Sequence, residues 1–252
     1  MSRIALSQRV LGAVSASLMI VGALFSASLQ PAAAVTPDFK ALFSAPDRSE
    51  ADIKNDERRN PMHLFPFTGV QVGMKVLDMG AGGGYSTEMM ARSVGPTGKV
   101  YGQNAVLRER FEERLKTPVM KNTVSLVRPF DEPVPAEVND LDPITFVVAY
   151  HDVTFMEVDR AVMNRKMFQA LKPGGLLVIA DHSARPGEGT TVSKTLHRIE
   201  EAALRKEIEA AGFVLVASGD FLRNPADMRD VPVSKSPVPN DEFVLKFQKP
   251  AK

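Results

Sequence analysis

Apolar residues along the chain are distributed in a way that predicts alternating strands and helices. Short apolar runs alternate with segments in which apolar residues recur every three or four positions, as on one helix face. The apolar run at 144–150 is typical of a strand buried on both faces. The predicted strands cover residues 75–79, 99–103, 123–128, 144–150, 176–180, 213–217 and 243–247.

The predicted helices lie mainly between those strands. They cover residues 49–59, 86–93, 106–115, 158–171 and 195–211. Repeated strand–helix alternation favours a mostly parallel sheet with helices on both faces. The last two strands have only a Pro-, Asp- and Asn-rich loop between them, at 221–241, so one of them is expected to be antiparallel. The fold class is therefore α/β, with a seven-stranded sheet in a single domain.

The first residues have the features of a removable export signal. Arg3 and Arg9 precede an apolar run over residues 10–29, and Ala32 and Ala34 supply an A-x-A cleavage site. We expect residues 1–34 to be a signal peptide, and the protein to be exported to the periplasm without stable membrane association after cleavage. An uncleaved membrane anchor is the alternative. Residues 35–68 are then an N-terminal helical extension, and residues 69–250 form the main domain.

Charge and cysteine content limit the classes of partner and chemistry that are open to this protein. The leader contains two of the 31 Lys and Arg residues and none of the 30 Asp and Glu residues, so its removal changes the formal net charge from +1 to −1. A balanced charge gives no indication of a nucleic-acid partner. The absence of cysteine excludes disulfides, thiolate metal ligands and a cysteine nucleophile.

The first strand ends in an acid and a glycine-rich turn. Asp78 is followed by glycine at positions 80, 82, 83 and 84, and a helix begins near Ser86. We call residues 80–84 the glycine turn. Such a turn brings bare backbone close to a bound nucleotide. A tight connection without a ligand is the alternative, but four glycines carry an entropy cost that a plain turn does not require.

The spacing of the glycines distinguishes between nucleotide-binding motifs. The dinucleotide pattern G-x-G-x-x-G/A fails, because its last position falls on Tyr85 or Thr87. The pattern D-x-G-x-G-x-G fits from Asp78 to Gly84. This segment closely resembles the nucleoside-binding turn of class I S-adenosylmethionine-dependent methyltransferases.

The resemblance covers most of residues 69–248. The segment 171–175, Leu-Lys-Pro-Gly-Gly, resembles the turn before the fifth strand of that family. The N-terminal helix, the glycine turn with Tyr85, and residues 222–225 together resemble an uncharacterised group of predicted exported methyltransferases. The resemblance implies a Rossmann-like fold, S-adenosylmethionine as cofactor, and methyl transfer to a small-molecule acceptor. The alternatives are a non-catalytic protein that binds adenosylmethionine or a nucleoside, and a different activity on the same fold.

The resemblance also implies the cofactor-binding residues. The family places an acid at the end of the second strand to bind the ribose hydroxyls, whereas this chain has two amides there. The implied cofactor-binding residues are Asp78, Gly80, Ala81, Gly82, Gly84, Tyr85, Gln103, Asn104, Phe130 and Asp131.

Polar residues follow the fourth and fifth predicted strands. His151 and Asp152 follow one, and Asp181 and His182 follow the next. Reaction centres in such sheets lie at the carboxyl ends of strands, so we expect His151, Asp152 and His182 to be catalytic, with His151 as general base. The alternative is that they are turn residues.

We expect no metal, although Asp152, Asp181 and His182 resemble the cation site of catechol-type O-methyltransferases. We expect His197 to be structural or exposed. The sequence does not indicate an oligomeric state.

Overall fold

The computed structural model describes Met1 and residues 35–251. The predicted signal peptide, apart from Met1, lies outside the described residues. Residues 35–251 fall within one compact unit. No helix in this described part of the chain has both the length and the apolar content needed to cross a membrane.

Nine helices and seven strands, besides two short 3₁₀ turns, are formed by the described residues. The helices are α1 Phe39–Phe43, α2 Glu50–Arg59, α3 Pro61–Thr68, α4 Tyr85–Val94, α5 Glu109–Leu115, α6 Tyr150–Val153, α7 Arg160–Ala170, α8 Ser193–Leu196 and α9 Glu201–Ala210. The strands are β1 Lys75–Met79, β2 Lys99–Asn104, β3 Thr123–Val127, β4 Leu141–Val147, β5 Leu171–His182, β6 Val214–Gly219 and β7 Glu242–Gln248.

The strands form one sheet in the order β3-β2-β1-β4-β5-β7-β6. The first five strands in this order pair in parallel, and β7 is antiparallel to both of its neighbours. The predicted α/β fold, a Rossmann-like, mostly parallel seven-stranded sheet with one antiparallel closing strand, is confirmed.

Each face of the sheet is covered by its own hydrophobic cluster, because successive strand side chains point to opposite faces. Leu77 packs on one face with residues of α7 and α9, and Val76 packs on the other with residues of α1, α3, α4 and α5. The apolar segment before β1 forms α3, whose Leu64 and Phe65 are buried in the second cluster. The helices of the N-terminal extension therefore share a core with the sheet.

The predicted helix at 195–211 is wrong, because two helices replace it. The chain leaves α8 at His197 with a left-handed φ of 54° and enters α9 at Glu201. Between them, Arg198 is fully buried and its guanidinium pairs with Asp227 at 2.8 Å, while Ile199 pairs with Ser183 beyond β5. A helix could not deliver both contacts, and a buried arginine requires its partner.

The fourth strand begins and ends three residues earlier than the predicted 144–150. It ends at Val147, and residues 150–153 form α6 instead of continuing the strand. Val148 adopts φ 54°, which is costly for a β-branched residue, and its N–H donates to Ala180 O. His151 and Asp152 therefore lie on a short helix, and the left-handed backbone at Val148 changes the chain direction between the end of β4 and that helix.

Candidate cofactor site

Asp78 lies at the carboxyl end of β1 and is almost completely buried. Its two carboxylate oxygens accept hydrogen bonds from Thr87 Oγ1 at 2.6 Å and Thr145 Oγ1 at 2.8 Å. Burial raises the pKa of Asp78 to about 6, although the two hydroxyl bonds and the charge of Arg59 act in the opposite direction. The carboxylate is therefore ionised at neutral pH at a cost in stability.

The glycine turn opens onto empty space at Gly82. This residue has φ 56°, and a Cβ added there would lie 3.9 Å from its nearest heavy atom. At Gly84, by contrast, a Cβ would come within 2.6 Å of the Phe111 ring. The turn therefore needs glycine at 84 for packing, and at 82 because the backbone is left-handed beside a cavity.

The two amides at the end of β2 hold the glycine turn. Gln103 Oε1 accepts the Gly80 N–H at 3.0 Å, and Asn104 Oδ1 accepts the Gly82 N–H at 2.8 Å. The Asn104 side chain also donates to Gly82 O at 3.3 Å, which a carboxylate could not do. Both amides are therefore used in fixing the turn, which gives a structural reason for the missing acid.

A cavity of about 700 Å³ lies between the glycine turn and α2, which we call the roof helix. Ion pairs tie the roof to the turn. Arg114 pairs with Asp52 of the roof at 2.6 Å and with Glu88 of α4, and its Nε donates to Gly83 O at 2.8 Å. Tyr85 Oη donates to Asp56 of the roof at 2.6 Å. The roof is therefore fixed relative to the turn.

Arg59 of the roof helix lines the cavity, and two of its guanidinium nitrogens have no hydrogen-bond partner in the described part of the chain. Among the described residues, Arg59 Nε and Nη1 are buried and make no hydrogen bond. Burial and the neighbouring Arg58 lower the pKa of Arg59, while Glu242, Tyr85 and Asp181 act in the opposite direction. Buried guanidinium donors without an acceptor are unfavourable, so this position fits an anionic ligand group.

The structure places the predicted cofactor residues in two groups. Asp78, Gly80, Ala81, Gly82 and Tyr85 line the cavity. The others, which do not line it among the described residues, are Gly84, Gln103, Asn104, Phe130 and Asp131. Of these, Phe130 is buried against Phe146, with ring centroids 5.9 Å apart, and Asp131 is half-buried in the loop after β3. The cofactor-binding roles of these residues stay predictions.

His151, Asp152 and His197 form a group that we call the histidine cluster. Asp152 Oδ1 lies 3.1 Å from His151 Nε2 and 3.2 Å from His197 Nδ1. Asp181 Oδ1 lies 2.6 Å from His151 Nδ1. The side chain of His197 is 45% exposed, in line with the expectation from sequence. Its contact with Asp152 is a feature that the sequence does not indicate.

His182 lies apart from these contacts. Its ring centroid is 5.8 Å from that of His151, and its Nδ1 is 3.2 Å from Glu242 Oε1, the residue opposite it on β7. His151, Asp152 and His182 do not line the cavity in the described part of the chain.

The two carboxylates determine the protonation of His151. Burial disfavours its charged form, but the charge of Asp181 and hydrogen bonds with Asp152 and Asp181 raise the pKa of His151 to about 10. The ring is therefore protonated at neutral pH in the ligand-free protein. Action as a general base requires the ring first to pass that proton to a neighbour, so this role stays a prediction.

The sheet order, the acid at the end of β1 and the glycine turn that opens into a cavity define a class I S-adenosylmethionine-dependent methyltransferase. Residues 62–218, more than half of the chain, match the family described as Protein-L-isoaspartate(D-aspartate) O-methyltransferase (PCMT). The chain belongs to that family. S-adenosylmethionine is the cofactor of this class, as the sequence predicts.

Several proteins are similar to this chain. The ubiquinone/menaquinone biosynthesis C-methyltransferase UbiE of Pseudomonas aeruginosa is 31% identical over 140 residues, 52% of this chain and 53% of that protein. The chain thus spans about half the length of the curated relatives it matches. A SAM dependent methyltransferase from Aquifex aeolicus has a TM-score of 0.58 at 19% identity, covering 84% of this chain and 98% of its own. A SAM-dependent O-methyltransferase from Thermotoga maritima has a TM-score of 0.53 at 19% identity, covering 80% and 71%. These two structures show the fold.

We predict that Asp78 makes stability depend on pH. Its folded pKa is about 6 against an ordinary value of 3.8, so its ionisation destabilises the fold increasingly as pH rises through this window and fully above it. Asp78→Asn removes this cost. In urea unfolding of ligand-free protein, the free energy of unfolding of Asp78→Asn minus that of wild type should be about 2 kcal/mol larger at pH 7.5 than at pH 4.5.

The control is Asp220→Asn, which makes the same change at an exposed position. Its difference from wild type should be the same at both pH values. A pH-independent difference for Asp78→Asn as well would contradict the assigned pKa.

Proposed function

We propose that this protein transfers a methyl group from S-adenosylmethionine to a small-molecule acceptor bound beside the glycine turn. One observation carries the proposal: the cavity is lined both by Asp78, whose carboxylate is buried, and by Arg59, whose Nε and Nη1 have no hydrogen-bond partner within the described ranges. The two residues lie on opposite sides of the same cavity, Asp78 at the end of β1 and Arg59 on the roof helix. This pair is complementary to the ammonium and carboxylate groups of a methionine moiety.

The residues present fit this cofactor. Arg59 has donors for its carboxylate, Asp78 has an acceptor for its ammonium group, and the backbone at Gly82 leaves room for close approach. The beginning of α4, directly after the turn, adds the positive end of a helix dipole. The amides of Gln103 and Asn104 keep the turn in the conformation that exposes it.

The bound cofactor supplies an electrophilic methyl group on its sulfonium. The contribution of the chain is positioning: the roof helix and the glycine turn enclose the donor, and the acceptor occupies the remaining cavity volume. Val147 and Val148 line the cavity and α6 begins two residues further along the chain, so we expect an acceptor that extends past them to approach the histidine cluster. There His151 holds a proton at neutral pH, and Asp152 is the more exposed acceptor of hydrogen bonds.

A second candidate function is binding without transfer. It is favoured by the two amides, which occupy the place of a ribose-binding acid and are already engaged with Gly80 and Gly82. A protein of this kind would hold adenosylmethionine or a related nucleoside. Transfer of label to an acceptor separates the two functions.

We also propose that the protein acts after export, as a member of an exported group of methyltransferases. The N-terminal pattern Arg3, Arg9, apolar run and Ala32-x-Ala34 supports this. Val35 O accepts the Val72 N–H at 3.0 Å, so a chain beginning at Val35 retains its first contact with the domain. N-terminal sequencing of the protein from its native host is expected to give Val35. Intact protein beginning at Met1 and located in the cytoplasm would contradict export.

Arg59 provides a direct test of the cofactor's placement. Arg59→Met should weaken binding of S-adenosylhomocysteine roughly 10- to 100-fold, the value of a charge-assisted hydrogen bond. Binding of methylthioadenosine, which lacks the amino-acid moiety, should not change. Titration calorimetry on folded protein measures both affinities.

The control is Arg165→Met, which removes an exposed arginine from α7. It should leave both affinities unchanged. Equal weakening of the two ligands by Arg59→Met would show that Arg59 does not hold the carboxylate.

Methyl transfer itself is tested with S-adenosylmethionine labelled in the methyl group. The protein is incubated with a small-molecule extract of the compartment from which it is purified. Labelled acceptor and an equal amount of S-adenosylhomocysteine are expected. Bound but unreacted cofactor would favour the binding function.

Two glycine variants, one a test and one its control, locate the reaction. Gly82→Val places a side chain in the cavity and should abolish transfer, whereas Gly189→Val introduces the same backbone strain elsewhere, at φ 55° with open space around it. Transfer that survives in Gly82→Val would place the reaction outside this cavity.

A further inference from the structure

The histidine cluster brings three metal-binding atoms together. One ligand atom from each of His151, Asp152 and His197 lies within 4.8 Å of the other two. Two of the three separations, 3.1 and 3.2 Å, both involve Asp152 Oδ1. The ligands come from α6 and from the residue that ends α8, two segments joined only through the fold.

These separations match those of ligands that share one ion. With bonds of about 2.0–2.1 Å, two ligands of a tetrahedral zinc ion are roughly 3.3 Å apart. Two imidazoles and one carboxylate also form a ligand set that selects transition-metal ions over Mg²⁺ and Ca²⁺, which prefer oxygen. The cluster therefore has both the spacing and the ligand type of such a site.

Asp181 supports the first of these ligands. Its Oδ1 lies 2.6 Å from His151 Nδ1, and its two oxygens also accept the backbone N–H groups of His151 and His182. A fully buried carboxylate bound in this way fixes the ring and directs Nε2 toward Asp152. Metal-bound histidines almost always have such a partner on the other ring nitrogen.

His197 is held in place by its neighbours in the chain. Its left-handed backbone ends α8, and the next residue, Arg198, is buried with Asp227. Ile199 N–H then donates to His182 O at the end of β5. The side chains of Asp152 and His197 are 36% and 45% exposed, so an ion can enter from solvent and keep one position open.

We propose that His151, Asp152 and His197 bind a first-row transition-metal dication of the Zn²⁺ type, with Asp181 orienting His151. This site lies outside the cavity proposed for the cofactor. It also differs from the set suggested by the catechol-type resemblance, because His197 replaces Asp181 and His182 as a ligand. Without a metal ion, N–H groups of the two rings would donate hydrogen bonds to Asp152 at the same separations. The experiment distinguishes metal binding from this hydrogen-bonded arrangement.

The experiment measures metal binding without cofactor or acceptor, so it is independent of the proposed methyl transfer. Protein stripped with a chelator is titrated with Zn²⁺ by calorimetry, and Co²⁺ is used as a spectroscopic probe. We expect one Zn²⁺ per chain, no displacement by excess Mg²⁺, and Co²⁺ absorption bands typical of nitrogen and oxygen ligands at low coordination number. His197→Ala and Asp152→Asn should each weaken binding at least tenfold, and Asp181→Asn roughly 10- to 100-fold.

His63→Ala is the matched control, because His63 lies on α3 and bonds to Asn60 at 2.7 Å, away from the cluster. It should bind Zn²⁺ as wild type does. His197 is partly exposed, so His197→Ala is expected to fold, and circular dichroism checks this. A wild-type protein that binds no stoichiometric Zn²⁺, or a folded His197→Ala that binds it equally well, overturns the proposal.

Discussion

The carboxylate of Asp78 is buried at the end of β1, and the geometry of the site depends on how this charge is accommodated. Two threonine hydroxyls from different elements bond to it, Thr87 from α4 and Thr145 from β4. The glycine turn is the connection between Asp78 and Thr87, so one hydrogen bond holds the two ends of the turn together. Its residues can therefore expose backbone to the cavity without losing their position relative to the sheet.

The overall fold and the place of the turn could be predicted from sequence. Buried parallel strands have continuous apolar runs, and the D-x-G-x-G-x-G spacing is local, so neither depends on distant residues. The antiparallel final strand followed from the lack of a helix between the last two strands. These features could be predicted from sequence because each is determined by a short segment of the chain.

The contacts that complete the site are not local. The break at His197 is stabilised by Arg198 pairing with Asp227, 29 positions away, and no periodicity indicates such a pair. Arg59 lies in a strongly polar helix, where a solvent-exposed arginine is the ordinary expectation. Gln103 and Asn104 were recognised as a departure from the family pattern, but only the structure shows that their amides bond to the backbone of the turn.

The two walls of the cavity have different relations to the family. The glycine turn lies within residues 62–218, the segment that the family model matches, whereas the roof helix at Glu50–Arg59 precedes that segment. The glycine turn is thus shared with the family, whereas the roof helix, which includes Arg59, lies outside the matched segment. If Arg59 holds the donor's carboxylate as proposed, substitutions elsewhere in the roof can change which acceptors enter the cavity while donor binding is kept, so acceptor selectivity can diverge in evolution without loss of the methyl donor.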